Sequence, residues 1–239
     1  MNGVELAARY GFPPNSLGYC GKGSFIDILR KNLDGKNTRM LERGLRKFKA
    51  QYAYLSLIAR ENKRKPFDKD VVEAFWIGNS LLDNISHEEL KFFIQNDLFG
   101  PKQSSRASKL ACSLPNGMLP HHSFNSLYIN FVTDSVERSV SNLDSCCITW
   151  GKVLSVSGDS VLMMRNSISK AKNGKFVISK KKSRIALSKN GIRFIEKVSK
   201  GDILSVHWGM AIEKLSKERA RKLEKYTKIN CNFNPKPSR

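Results

Sequence analysis

Apolar positions along this 239-residue chain change period about half-way, from the three-and-four spacing of helices to the alternation of strands. In the first hundred residues, "SFIDILRKNLDG" offers Ser24 as an N-cap, Phe25, Ile28 and Leu29 on one face, and Gly35 as a stop. Leu41, Leu45, Phe48, Tyr52 and Leu55 then form one apolar stripe, which predicts a single helix ending near Asn62. Asp68 is placed to cap a helix that turns Val72, Phe75 and Trp76 inward, with Leu82 following on the same side. Ser86 and Glu89 form a capping box ahead of Leu90, Phe93 and Ile94. Gly100-Pro101 closes this helical bundle.

Residues 102–123 read as a connector, with a short helix at "SRASKLACSL". Beyond it, "SLYINFV" alternates Leu127, Ile129 and Phe131 and predicts a strand. From Cys146 onward, short β-branched runs are separated by Gly158-Asp159, Asn173-Gly174, Asn190-Gly191 and Gly201-Asp202. Asn-Gly favours a tight hairpin turn because both residues tolerate positive φ. Some five short strands predict a small barrel, and Ile212, Leu215, Leu223 and Tyr226 predict a C-terminal amphipathic helix. The expected class is α+β: a helical domain at 1–123, a strand and connector at 124–145, and a barrel with its helix at 146–239.

Composition adds an asymmetry to this plan. The net charge of +21 divides as +5 over residues 1–145 and +16 over 146–239. Such density attracts polyanions or acidic protein surfaces and says nothing of fold. Lys175, Lys180, Lys181, Lys182 and Arg184 form its densest run. The five cysteines are an odd number with no C-x-x-C pair, which points away from a disulfide framework or zinc ribbon and towards a reducing cytoplasm. No secretory leader and no long apolar run is visible, so no membrane association is expected.

The chemistry-bearing residues are few. His207 stands in the apolar run "GDILSVHWG", opposite in alternation to Val206 and Trp208. A lone histidine is more often structural than functional, yet neutral imidazole is also the commonest protein metal ligand. Cys146 and Cys147 open the barrel in "DSCCITWGKV", and in a strand only one of the two would face the core. If the first and last strands are neighbours, Cys146 and His207 meet as a soft S/N pair. Cys20, in the Pro/Gly/Asn-rich stretch "RYGFPPNSLGYCGKGS", and His121 or His122, in "LPHHSF", are weaker candidates to line a cleft beside that pair.

These motifs carry a resemblance. "GDILSVHWGMAIEKL" resembles the "GD-x-V-x-V-H-x-G-x-A-I" strand of the HypC/HupF hydrogenase-assembly chaperones, and "CCITWGKV" is similar to their opening "M-C-x-x-I-P-G-K-V". The match covers residues 146–226, about a third of the chain, and the whole chain resembles a prokaryotic family with the same helical-plus-HypC-like layout. The resemblance implies an OB-like barrel that holds an iron fragment bearing cyanide and carbon monoxide through Cys146 and His207. It also implies docking to a metalloenzyme or assembly factor.

A cysteine nucleophile with His207 as base would need the two within about 3 Å. Hydrolase elbows, zinc-protease helices, P-loops and dinucleotide fingerprints are absent from the sequence, so a non-enzymatic accessory role is expected. The rival expectation is a basic OB-like module that binds nucleic acid, with Phe176 and Phe194 as its sparse aromatics.

Overall fold

The computed structural model describes residues 1–21, 25–32, 38–130 and 139–233. The predicted cap Ser24, stop Gly35 and strand residue Phe131 lie outside them. The described chain is α+β, with helices first, strands next and a helix last.

Helix α1 (Gly3–Ser16) begins at a capping box in which Asn2 and Glu5 each accept the other's backbone N–H. It carries Pro13 and Pro14 in its final turn, so the first half of the Pro/Gly/Asn-rich stretch is helical. Helix α2 (Phe25–Lys31) follows. The apolar stripe predicted as one helix is two, α3 (Thr38–Leu45) and α4 (Lys49–Glu61), broken at Arg46–Phe48. Leu41, Leu45, Phe48 and Leu55 are all buried despite the break, because the bend keeps both apolar faces on one core. Helix α5 (Lys69–Trp76) starts after Asp68, whose carboxylate accepts from the Lys65 N–H instead of capping the helix. The Ser86–Glu89 capping box forms as predicted and opens α6 (His87–Phe93). Helix α7 (Ser104–Cys112) leads to α8 (His122–Phe124).

The run predicted as a strand at "SLYINFV" is not extended. Residues Asn125–Ile129 continue α8 as a wide helical turn, with Ser126, Leu127, Tyr128 and Ile129 all buried. A segment buried on every side carries no alternation, so its apolar spacing could not separate helix from strand. Cys146 likewise is the last residue of helix α9 (Val140–Cys146), and Cys147 caps it. Both cysteines are buried, where a strand would have turned one outward.

Strands β1 (Thr149–Ser157), β2 (Ser160–Lys170), β3 (Phe176–Ala186), β6 (Ile203–His207) and β7 (Met210–Lys214) close in the order β1-β2-β3-β7-β6. Strands β4 (Ser188–Lys189) and β5 (Ile192–Arg193) form a separate hairpin. Its turn residues Asn190 and Gly191 have φ of 51° and 74°, the left-handed pair that Asn-Gly tolerates. Ile212 lies in β7 and not in the C-terminal helix α10 (Lys217–Cys231), which Ser216 caps. Strands β1 and β6 are paired, Thr149 opposite Val206.

One apolar cluster runs through both halves of the chain, from Val4 to Phe233. A buried polar chain crosses it. The Tyr10 hydroxyl of α1 donates to Glu213 Oε1 of β7 at 2.8 Å and lies 2.9 Å from Ser205 Oγ of β6. Arg219 of α10 holds both Glu213 oxygens, at 2.8 and 2.9 Å, and its Nε reaches Glu73 Oε1 of α5 at 2.8 Å. Three elements, α1, β7 and α10, therefore meet on the Glu213 carboxylate, and β6 and α5 join the same network through Ser205 and Glu73. Among the described residues no helix is long and apolar enough to cross a membrane.

Candidate functional site

Between the helices and the closed sheet lies a pocket of about 360 Å³. Cys20, His122, Cys146 and His207 all line it, together with Gln51, Trp76 and Trp208. His121 does not. Its ring caps α8, accepting the Ser123 N–H at 3.2 Å, and burial lowers its pKa to about 3.

His207 reaches Cys146 through backbone and not through sulfur. Its Nε2 is 3.1 Å from the Cys146 carbonyl oxygen, and its Nδ1 is 2.7 Å from the Tyr10 carbonyl oxygen. Both partners can only accept, so a neutral ring donates to one and turns its lone pair on the other. Burial lowers the His207 pKa to about 4, although the two carbonyls pull upward; nearby Lys189 adds a smaller downward pull. The ring is therefore a neutral strut joining α1, β6 and the end of α9. With both nitrogens facing carbonyls, it has no lone pair free for a metal and no contact with the thiol whose proton a base would take.

This strut carries a pH dependence. His207 titrates near 6.5 when unfolded and near 4 when folded, so its contribution is whole above about pH 6.5 and is lost as pH falls towards 4. The full loss is about 3 kcal/mol, at 1.36 kcal/mol for each pKa unit. Thermal melts from pH 7.5 to 4.5 should show the midpoint falling below pH 6.5. A flat midpoint across that range would contradict the buried neutral ring.

The Cys146 sulfur has its own partners. Sγ accepts from Ser126 Oγ at 3.3 Å and Asn130 Nδ2 at 3.5 Å. Burial pushes the thiol pKa up and these two bonds pull it back in part. Position at the carbonyl end of α9 also disfavours a thiolate. Ser126 Oγ lies 3.5 Å from His122 Nδ1 as well, so one hydroxyl stands between imidazole and thiol.

His122 lies against the Trp76 indole, ring centres 4.4 Å apart, and edge-on to His207 at 5.1 Å. Burial, then His207 and His121, hold its pKa well below the ordinary value. Its Nε2 has no hydrogen-bond partner among the described residues. Of the two imidazoles that line the pocket, His122 is thus the one with a nitrogen to offer; the unpartnered Nε2 of His121 lies outside the lining.

At the mouth, Cys20 is exposed as a residue, while the protein packed around its thiol, and then Cys146, push its pKa up to about 12. The neighbouring Tyr19 ring stacks on Trp208 at 4.2 Å. Trp208 has φ of 46° and Gly209 of 74°, so a bulky indole occupies a turn position that ordinarily goes to Asn or Gly. The Trp208 backbone N–H donates to the Ser145 carbonyl at 3.0 Å, which ties this turn to α9.

Two contributors carried no motif. The Gln51 side-chain amide nitrogen is buried without a partner, as are the indole nitrogens of Trp76 and Trp208. For Trp208, the missing Asn or Gly before Gly209 was a usable signal; Gln51 gave none. No Asp or Glu lines the pocket among the described residues, and Lys47 and Lys49 stand at its edge. The lining thus carries unpartnered donors and, among the described residues, no anionic acceptor. Among the described residues, no three His, Cys, Asp or Glu side chains are grouped to hold a metal ion.

The basic run sits elsewhere. Lys175, Lys180, Lys181, Lys182 and Arg184 are exposed on and beside β3, whereas Phe176 and Phe194 are buried.

A family model described as a family of unknown function (DUF6390) matches residues 1–235. No curated protein and no solved structure matches the chain.

Proposed function

We propose, for a chain that belongs to the family of unknown function DUF6390, a non-enzymatic accessory role in which the pocket holds and releases a compact, acceptor-bearing cargo. The observation that carries this is the joint placement of the Cys146 thiol and the unengaged His122 Nε2 beside unpartnered amide and indole donors. No base touches the Cys146 thiol to make it a nucleophile, and as a ligand it would give up its proton to the metal that binds it.

The closed sheet and C-terminal helix are read as an OB-like barrel of the HypC/HupF kind, acting in the cytoplasm with a metalloenzyme or assembly factor. The iron fragment bearing cyanide and carbon monoxide is then the cargo of choice. A fragment that brings its own ligands needs few from the protein, so a three-residue cage is not required. Cys146 and His122 would supply one sulfur and one imidazole nitrogen, a soft pair suited to iron of this kind. Coordination would displace the thiol proton. Gln51, Trp76 and Trp208 would donate to the acceptor ends of the cargo.

The test is iron content after anaerobic purification from a host that makes the fragment. Near-stoichiometric iron is expected in the wild type, falling at least tenfold in Cys146→Ala and His122→Ala with melting temperatures held. A wild type without iron, or variants that keep it, would reject the cargo.

The second reading, nucleic-acid binding, is favoured by the exposed β3 lysines. Phe176 and Phe194 are buried and offer no stacking platform, which leaves an electrostatic contact alone.

A further inference from the structure

The lysines of β3 lie along a strand with one edge largely open. Inside the closed order, β3 pairs with β2 over its whole length, from Phe176 opposite Lys170 to Ala186 opposite Ser160. On its other side it meets β7 at one pair, Ala186 with Met210. From Phe176 to Ile185 that side has no strand among the described residues. The edge is nonetheless held at both ends. Phe176 is buried and its ring lies 6.1 Å from Phe233, just past α10, while Ile185 is buried in the sheet. Between these anchors Lys180, Lys181 and Lys182 are exposed, and none of them pairs with a carboxylate among the described residues. The whole hairpin, residues 160–186, contains no Asp or Glu.

An open strand edge is a template for another strand, and edge lysines prevent it from pairing with copies of itself, since like charges would stand side by side. The same lysines leave it open to a strand of opposite charge. We propose that the outer edge of β3 is a docking site for an extended acidic segment of a partner protein, which adds as a strand and sets its carboxylates against Lys180, Lys181 and Lys182. Main-chain bonds would supply affinity and the lysines selectivity, as in other strand-addition complexes. The fixed ends mean that the edge need not be ordered on binding. This proposal is independent of the pocket and of any cargo in it.

The probe is a synthetic peptide with a central run of Glu flanked by Val, which sets carboxylates on both faces of an added strand, titrated into the full-length protein with backbone amide shifts read by NMR. Shifts confined to β3 between Val177 and Arg184 are expected, with hydrogen-exchange protection of outward amides. Peptide affinity should fall at least tenfold in K180E/K181E/K182E, and also when alternate peptide amides are N-methylated without change of charge. Equal binding of the methylated peptide would overturn strand addition in favour of charge attraction alone. A thymidine oligonucleotide of the same charge binding more tightly than the peptide would overturn the acidic-segment assignment in favour of nucleic acid.

Discussion

Gly151→Ala is expected to cost about 3 kcal/mol of stability, the upper end for overpacking, because the added methyl would meet backbone on a partner strand. A Cβ at this position would run into the Met164 carbonyl oxygen, with Arg165 Cα at 2.7 Å and Met164 C at 2.8 Å. No rotamer can relieve a main-chain contact. Gly151 also pairs on both sides, with Arg165 of β2 and Leu204 of β6, so moving away from one strand presses β1 on the other. At about 2–4 °C per kcal/mol for a chain of this size, the melting temperature should drop by roughly 6–12 °C. A change within about 1 °C would show that β1 and β2 separate more easily than their register implies. The close approach of Gly151 to β2 is a reason for glycine that concerns packing and not chemistry.

Glu213→Ala should be as damaging, by a different route. Arg219 would lose both oxygens of its carboxylate partner and the Tyr10 hydroxyl its acceptor, at a site where Glu213 is 6 % exposed. Removing one member of a buried pair typically costs about 3–5 kcal/mol, because the charge left behind is neither solvated nor paired. Glu73 would still hold the Arg219 Nε, which favours the lower part of that range. Urea unfolding of Glu213→Ala, Arg219→Met and the triple variant Glu73→Gln/Glu213→Leu/Arg219→Met is the informative set. The triple variant should lose less than Glu213→Ala alone, since it removes all three charges of the network and leaves none without a partner. Equal or greater loss in the triple variant would mean that the network contributes net stability beyond avoiding a stranded charge.

Signals local in sequence were legible where one short stretch contains the whole physical cause. The Ser86–Glu89 box and the Asn190-Gly191 turn are of that kind, each needing only its own backbone. Periodicity misled where a segment is buried all round, as at Asn125–Ile129, and where a bend preserves an apolar face, as between α3 and α4. The cysteines and histidines stood out by residue type, and four of them line one pocket. What each does there was not legible. The engagement of His207 depends on carbonyls of Tyr10 and Cys146, 197 and 61 residues away, and no alternation encodes those. Gln51 is an ordinary helix residue until the fold sets it in the wall of the same pocket as Trp76 and Trp208.

The stacked rings at the mouth give the protein a built-in optical gauge. Trp76 lies deep among aromatic rings and Trp150 is buried in the sheet, whereas Trp208 is only half-buried and lies face to face with Tyr19. Excitation absorbed by that tyrosine has an indole acceptor 4.2 Å away while the rings touch. Parting these rings would lengthen that path and wet the indole, so a red shift of the tryptophan emission would report the loss of this contact without any attached dye.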